Sequence, residues 1–309
     1  MTGIRAQAAA SIGNFSVGFD VLGVALQVLE GEPLADVVEI SASPSGRHQL
    51  ETRGKFAAYL PNAIEENLVW QCLLAFESIC AVPPVKIVLL KQLPISSGLG
   101  SSASSIVAAA AALNKYLDEP LTTAQLLELC GRLEGGVSGS IHLDNVAPSL
   151  LGGLVLCNGD SSCALPFNPD WRLVVAYSGQ EVSTRRMREV LPEDYPATEV
   201  IQQMTVFATF INALHKNDWP LAEASLIDYL AEPRRAPQIE GYAAAKDKCL
   251  SLGANAVGIS GSGPTLFALC RQETTNEIAN WLRQNYVFND QAFTRACEIS
   301  RKPVVIEHF

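Results

Sequence analysis

The chain has 309 residues, 48% of them hydrophobic and 17% charged, with a formal net charge of −10 at pH 7. That is the balance of an ordered globular protein, and its length favours two fused subdomains over one core. The acidic surplus argues against broad nucleic-acid binding, which needs a basic face; the apolar runs break well before bilayer length, so no membrane partner is expected.

Eight cysteines (Cys72, Cys80, Cys130, Cys157, Cys163, Cys249, Cys270 and Cys297) form no CxxC pair and sit mostly in apolar surroundings. Together with an N-terminus lacking a signal-peptide pattern, they point to reduced thiols in a cytoplasmic protein. The four histidines show no ligand-like spacing, which argues against zinc.

In chain order, β-branched runs predict strands at Val37–Ser41 and Val85–Leu90. Helical spacing of Leu68, Cys72, Leu73, Phe76 and Ile79 predicts a helix over Asn67–Cys80. An alanine-rich helix follows over Ser104–Leu117, and Thr122 or Thr123 can cap another that runs to about Leu133. Strand character resumes at Gly152–Cys157. The polar stretch Asn158–Asp170 marks a boundary, dividing the chain into 1–162 and 163–309. The second half reads as a strand at Arg172–Tyr177 and helices near Thr198–Lys216, Pro220–Leu230 and Tyr242–Leu252. Strands at Ala256–Ile259 and Thr265–Cys270 come next, then a helix near Thr275–Tyr286 and a last strand pair. Strands and helices do not alternate strictly, so the class is α+β with mixed sheets.

The run from Pro94 to Ser104, PISSGLGSSAS, joins a predicted strand to the alanine-rich helix. Glycines let backbone approach a ligand closely, and the free amides of the helix's first turn favour an anion. A phosphate-binding loop follows from this. Gly100 is followed by Ser101-Ser102 and not by the lysine of a Walker A motif, and no third glycine completes a dinucleotide fingerprint. A glycine–serine turn that merely starts a helix would use the same residues. A second such turn, Gly258–Thr265, is equally compatible with a tight hairpin.

Asp20 is a lone carboxylate in an otherwise uncharged stretch from Ala6 to Leu29. If buried it needs a partner, either a bound ammonium or a structural arginine. Glu134 lies at a helix end before a glycine turn and could hold magnesium, or pair with Arg132. The segment from Ser138 to Pro148 gathers Ser, His, Asp and Asn, which suits polar substrate contacts.

Taken together and in order, these segments resemble the GHMP kinases (galacto-, homoserine, mevalonate and phosphomevalonate kinases). Pro94–Ser104 resembles that family's PxxxGLGSSA motif, and Ile259–Thr265 its C-terminal motif. Asn14–Gly23, Glu66–Val69, Gly139–Pro148 and Gly258–Leu269 look like the homoserine-phosphorylating branch. Gly13 stands where that branch more often has alanine, and Arg185-Arg186 enrich a segment that often has fewer arginines.

The resemblance implies a two-subdomain fold, with an N-terminal ATP-binding domain (1–162), a C-terminal domain (163–309) and a nucleotide cleft between them. It implies ATP and Mg2+, and as substrate L-homoserine, phosphorylated on its side-chain hydroxyl in threonine biosynthesis. A mevalonate-like or sugar substrate, or a non-catalytic regulator on the same fold, are the alternatives. ATP would meet Asn67 and the loop Pro94, Ile95, Ser96, Ser97, Gly98, Leu99, Gly100, Ser101, Ser102, Ala103 and Ser104; Ser102 and Glu134 would hold the metal. Asn14, Asp20, His142, Asn145, Thr184, Arg188, Arg235 and Gly261 would bind the amino acid, its carboxylate at the two arginines. The hydroxyl proton would pass either to the γ-phosphate or to a protein base, for which Asp144 is the candidate. No nucleic acid or membrane partner is implied, and a homodimer is compatible with the sequence.

Overall fold

The computed structural model describes residues 3–138, 142–159 and 161–309. Gly139, Ser140 and Ile141, at the head of the segment before His142, lie outside the described residues. The first half runs β1 (Ile4–Ala9), β2 (Ser11–Gly13), β3 (Leu22–Val28), β4 (Ala35–Ala42), β5 (Gln49–Arg53), α1 (Leu68–Glu77), β6 (Val85–Leu90), α2 (Ser101–Tyr116), α3 (Thr123–Ser138) and α4 (Val146–Leu151). It continues through β7 (Leu154–Asn158) and β8 (Ser161–Leu165). The second half runs β9 (Arg172–Tyr177), α5 (Thr184–Glu189), α6 (Ala197–Lys216), α7 (Trp219–Ala224), α8 (Glu232–Arg235), α9 (Tyr242–Ser251), β10 (Ala256–Ile259), β11 (Leu266–Cys270), α10 (Gln272–Asn285), β12 (Phe293–Ile299) and β13 (Val305–His308).

Two sheets form. One has the order β13-β1-β4-β6-β5, antiparallel except for the parallel β5–β6 pair. The other has the order β10-β11-β9-β12-β3-β7-β8, with β2 paired to β3. The class is therefore α+β in two subdomains, with one mixed sheet and one antiparallel sheet. Both sheets draw strands from both sides of residue 162: β3 pairs with β12, and β13 returns to β1. The expected last strand pair is thus two strands in different sheets, because β12 inserts between β9 and β3 while β13 closes the edge beside β1.

The cores explain the patterns. Ala103 and Ile106–Leu113 of α2 are all buried, packed with Val38, Ile40 and Ile87 of the first sheet, Val69, Cys72 and Phe76 of α1 and Leu127 and Cys130 of α3. A helix buried all round reads as a continuous apolar run, and alanines let its neighbours approach. In β9, Leu173 and Val175 face one core with Phe210 and Leu214 of α6, while Val174 and Ala176 face another with Ile278 and Leu282 of α10. This period of two, buried on both faces, makes Arg172–Tyr177 uniformly apolar after its first residue.

One expected helix is shorter than predicted. Pro220–Leu230 is helical only to Ala224, because the Asp228 carboxylate accepts from the amides of Leu230 and Ala231 at 2.8 Å and of Glu232 at 2.9 Å. That side chain caps α8 and bends the chain between the two helices. All eight cysteines are free thiols; six are buried, Cys80 is half-buried and Cys163 is exposed. Among the described residues, no helix is long and apolar enough to cross a membrane.

Candidate active site

Three glycine-bearing segments meet where the two halves face each other. The Ser260 hydroxyl donates to the Gly98 carbonyl at 2.7 Å, the Thr265 amide to the Ser97 carbonyl at 3.1 Å, and the Gly261 amide to the Gly13 carbonyl at 3.0 Å. Gly98 has φ +82°, and a Cβ there would sit 2.3 Å from the Ser260 carbonyl oxygen. No other residue fits that backbone and that contact without strain. A Cβ at Gly13 would lie 2.4 Å from Asp144 Oδ2 and 2.6 Å from Asn145 Nδ2. The glycine there, in place of the alanine expected of the branch, lets these two side chains close on β2.

These segments line a cavity of about 330 Å3, a size suited to a small-molecule ligand. From the first half it takes Asn14, Asp20, Asn67, Ile95, Ser96, Ser97, Gly98, Gly100, Ser101, Ser102, Glu134, His142, Asp144 and Asn145. The second half adds Thr184, Arg188, Arg235, Gly261 and Ser262. Pro94, Leu99, Ala103 and Ser104 do not line it, contrary to their expected place in the nucleotide loop. Pro94 faces a smaller neighbouring cavity. Leu99 and Ala103 point into the cores, and the Ser104 hydroxyl is used internally, donating to Ala8 O at 2.7 Å and accepting from Asp36 N at 3.0 Å. Once the loop turns into a helix, only one side of each turn can face a ligand.

The glycine–serine side of the cavity is built by β6 and α2. Gly100 caps α2 in the left-handed region with no side-chain cap, so the first-turn amides are left to a ligand in the cavity. The Ser102 hydroxyl donates to Glu134 Oε1 at 2.7 Å. Arg132 pairs with Glu128 at 3.2 Å, which leaves Glu134 to the cavity side of α3. Burial pushes the Glu134 carboxyl above its ordinary range, with the Ser102 hydrogen bond and Lys91 opposing. Asn67 lines the cavity while its side-chain oxygen caps α1, accepting from Val69 N at 3.0 Å.

Sequence reading missed a charged pair beneath this loop. Lys91 and Asp36 are buried and ion-paired. The Lys91 ammonium also donates to Ser101 O at 2.8 Å and Ser105 Oγ at 2.9 Å, and Asp36 Oδ1 accepts from the amides of Gln92 at 2.8 Å and Leu93 at 3.0 Å. Asp36 enters β4 one residue after its start and Lys91 directly follows β6, and strands that also carry Glu39 and Lys86 give neither charge a distinguishing local pattern.

The opposite group of residues carries charge of both signs. Arg188 grips Asp20 through two hydrogen bonds, NH1 to Oδ2 at 2.6 Å and NH2 to Oδ1 at 3.1 Å. Of the two partners weighed for Asp20, the structure supplies an arginine. His142 Nε2 lies 3.0 Å from the Arg188 NH2; burial holds this imidazole below its ordinary range, so its neutral form can accept that hydrogen bond. Burial pushes the Arg188 guanidinium down, but its hydrogen bond and charge contact with Asp20 outweigh this and the net shift is upward. Arg235 is 4% exposed and donates to Met187 O at 3.2 Å and Gly261 O at 2.9 Å. Burial lowers its pKa, and Arg188 lowers it further. Asn14 donates from its side chain to Gly261 O at 3.0 Å, and its own Oδ1 accepts from Asp20 N at 2.9 Å. Asn145 Oδ1 accepts from Ser11 Oγ at 2.9 Å, and the Thr184 and Ser262 hydroxyls lie 3.3 Å apart.

Asp144 sits between the two groups. Its Oδ2 accepts from Asn14 N at 3.1 Å, and burial raises its carboxyl to about 7, with repulsion from Asp20 adding. A carboxyl poised there can take a proton near neutral pH.

Residues 67–153 match the model of the GHMP kinases N terminal domain, and residues 210–287 that of the GHMP kinases C terminal. The chain belongs to the GHMP kinases. Within solved structures it is similar to homoserine kinase from Cytophaga hutchinsonii, with 30% identity, a TM-score of 0.90, and 99% of this chain and 97% of that one covered. A Listeria monocytogenes protein assigned as homoserine kinase (22% identity, TM-score 0.74, 98% and 99% covered) shares the fold. So does L. major mevalonate kinase bound to R-mevalonate, at 18% identity and TM-score 0.69, with 96% and 97% covered.

Proposed function

We propose that this kinase transfers the γ-phosphoryl group of ATP to the side-chain hydroxyl of L-homoserine, giving O-phospho-L-homoserine. One observation carries the reading. Beside a loop of bare amides and hydroxyls, the same cavity holds a carboxylate, Asp20, and two guanidiniums, Arg188 and Arg235. A sugar uses neither charge, and mevalonate has no ammonium for a carboxylate to bind. A zwitterionic amino acid uses both. Its ammonium would take Asp20 and its carboxylate Arg188 and Arg235, so the mutual Asp20–Arg188 pair is exchanged and no buried charge loses its counterion. The similarity to the Cytophaga hutchinsonii enzyme supports the same substrate.

The amides from Gly98 to Ser102 would bind the phosphates of ATP, with Asn67 nearer the nucleoside. Ser102 and Glu134 offer a hydroxyl and a carboxylate 2.7 Å apart at the mouth of α2. That set fits Mg2+, which takes few protein oxygens and completes its shell with phosphate and water. Among the described residues no cluster of three or more His, Cys, Asp or Glu could hold a metal alone, in keeping with a cation shared with nucleotide. Magnesium held there supplies positive charge to the transferring phosphate. Asn145 and Asn14 would orient the acceptor hydroxyl, and Asp144 would receive its proton. Orientation and preorganised charge then supply most of the acceleration.

Purified protein is assayed with ATP and Mg2+ against homoserine, mevalonate and galactose. Phosphorylation of homoserine far above the other two is expected. Preference for mevalonate or galactose refutes the substrate, and background turnover by folded protein favours a non-catalytic regulator.

A further inference from the structure

The two guanidiniums of the acceptor group share one aromatic ring. Arg188 Cζ lies 5.5 Å and Arg235 Cζ 5.3 Å from the ring centroid of Phe19. Phe19 itself does not line the cavity. The arginines come from different elements, α5 and α8, and repel one another. Arg188 has Asp20 as counterion, whereas no carboxylate lies within ion-pair distance of Arg235 among the described residues. Arg235 is nevertheless buried. In direct contact it has two carbonyl dipoles and the face of Phe19, with the charges of Asp20, Asp228 and Asp144 acting from further away. An aromatic face attracts a cation through its quadrupole without neutralising it. A carboxylate in that place would quench the positive charge that an incoming anion needs.

The backbone that carries the ring is closed into a turn. Residues Asn14, Phe15, Ser16 and Asp20 all have positive φ, and the turn is closed by Gly18 N to Asn14 O at 2.9 Å and Asp20 N to Asn14 Oδ1 at 2.9 Å. Phe15 anchors it by stacking on Phe267, centroids 5.2 Å apart. Phe19 and Asp20 are therefore held as adjacent parts of one rigid turn.

We propose that Phe19 is a positioning residue for the acceptor's carboxylate: its ring contacts both Arg188 and Arg235 and holds them in place and charged, ready for an anion. The ligand class rests on the functional reading above; the placement of the arginines does not. Phe19→Leu keeps an apolar side chain and removes the ring, and Phe19→Tyr restores it. Expected for Phe19→Leu is a melting temperature and an affinity for a non-hydrolysable ATP analogue near wild type, with homoserine KM and Kd raised roughly three- to thirtyfold and kcat little changed. Phe19→Tyr returns homoserine binding to near wild type. Equal losses for nucleotide and homoserine, or no recovery in Phe19→Tyr, overturn the proposal. Independently of any acceptor, the side-chain NH signals of Arg188 and Arg235 in arginine-labelled protein should carry ring-current shifts that Phe19→Leu abolishes and Phe19→Tyr keeps. Unchanged shifts in Phe19→Leu refute the proposal even if wild type binds no homoserine. Intact ring-current behaviour without homoserine binding refutes only the functional reading.

Discussion

Ser260 and Gly98 come from opposite halves of the chain, and the hydroxyl of the first donates to the carbonyl of the second at 2.7 Å. The glycine–serine loop is thus tied to the turn between β10 and β11. A Cβ at Gly98 would sit 2.3 Å from the Ser260 carbonyl, on a backbone at φ +82°. Gly98→Ala should therefore cost at least about 1–3 kcal/mol in stability and displace the loop amides. Nucleotide titration should show ATP binding lost or severely weakened in protein that still folds. Wild-type ATP affinity in this variant would show that the loop does not carry the phosphates.

Lys91 and Asp36 make a second prediction, about stability. Removing one member of a buried pair leaves the other charge uncompensated, at a cost of about 3–5 kcal/mol. Lys91→Met should fall in that range by urea unfolding. The double variant Lys91→Met with Asp36→Asn should recover much of the loss, because asparagine can still accept from the amides of Gln92 and Leu93. Additive losses would mean the two side chains do not act as a pair.

These two residues also show where sequence reading stops. The glycine–serine loop was legible because its chemistry is local: strand, turn and helix follow one another within about twenty residues. Arg188 and Arg235 were legible through the family's motifs, but no local pattern tells that Arg188 meets Asp20 from 168 positions away. Phe19 went unmarked for the same reason, since an aromatic in an apolar stretch looks like core. The strands β1 to β3 escaped assignment because Ala, Gln, Gly and Ser dilute their β-branched character. The fate of β12 and β13 was decided by pairing across the whole chain, a choice of topology that composition does not encode.

Arg188→Ala separates the two substrates. Losing a charge-assisted contact weakens binding roughly ten- to a hundredfold, and here it also leaves Asp20 without its partner. The KM for homoserine should rise by that factor while the KM for ATP stays near wild type. Steady-state kinetics with each substrate varied in turn measures both. A parallel rise in both constants would indicate a disturbed fold, not a lost carboxylate contact.

Asp144 gives a pH dependence with a definite sign. Its carboxyl is raised from an ordinary 3.8 to about 7, chiefly by burial. Between those values the folded protein holds a proton that the unfolded chain has released, so stability falls as pH rises through this window and the penalty is complete above about 7. The whole window is worth on the order of 4 kcal/mol. Asp144→Asn keeps an acceptor for the Asn14 amide and abolishes the titration. Relative to wild type it should be more stable at pH 8 than at pH 5 in denaturant unfolding. Catalysis should move the opposite way, because only the ionised carboxylate can take the hydroxyl proton. Wild-type kcat should climb through pH 7, and Asp144→Asn should flatten that climb and lower kcat roughly a hundred- to ten-thousandfold. Turnover near wild type with an unchanged pH profile would leave the proton to the phosphate itself and remove Asp144 from the chemistry.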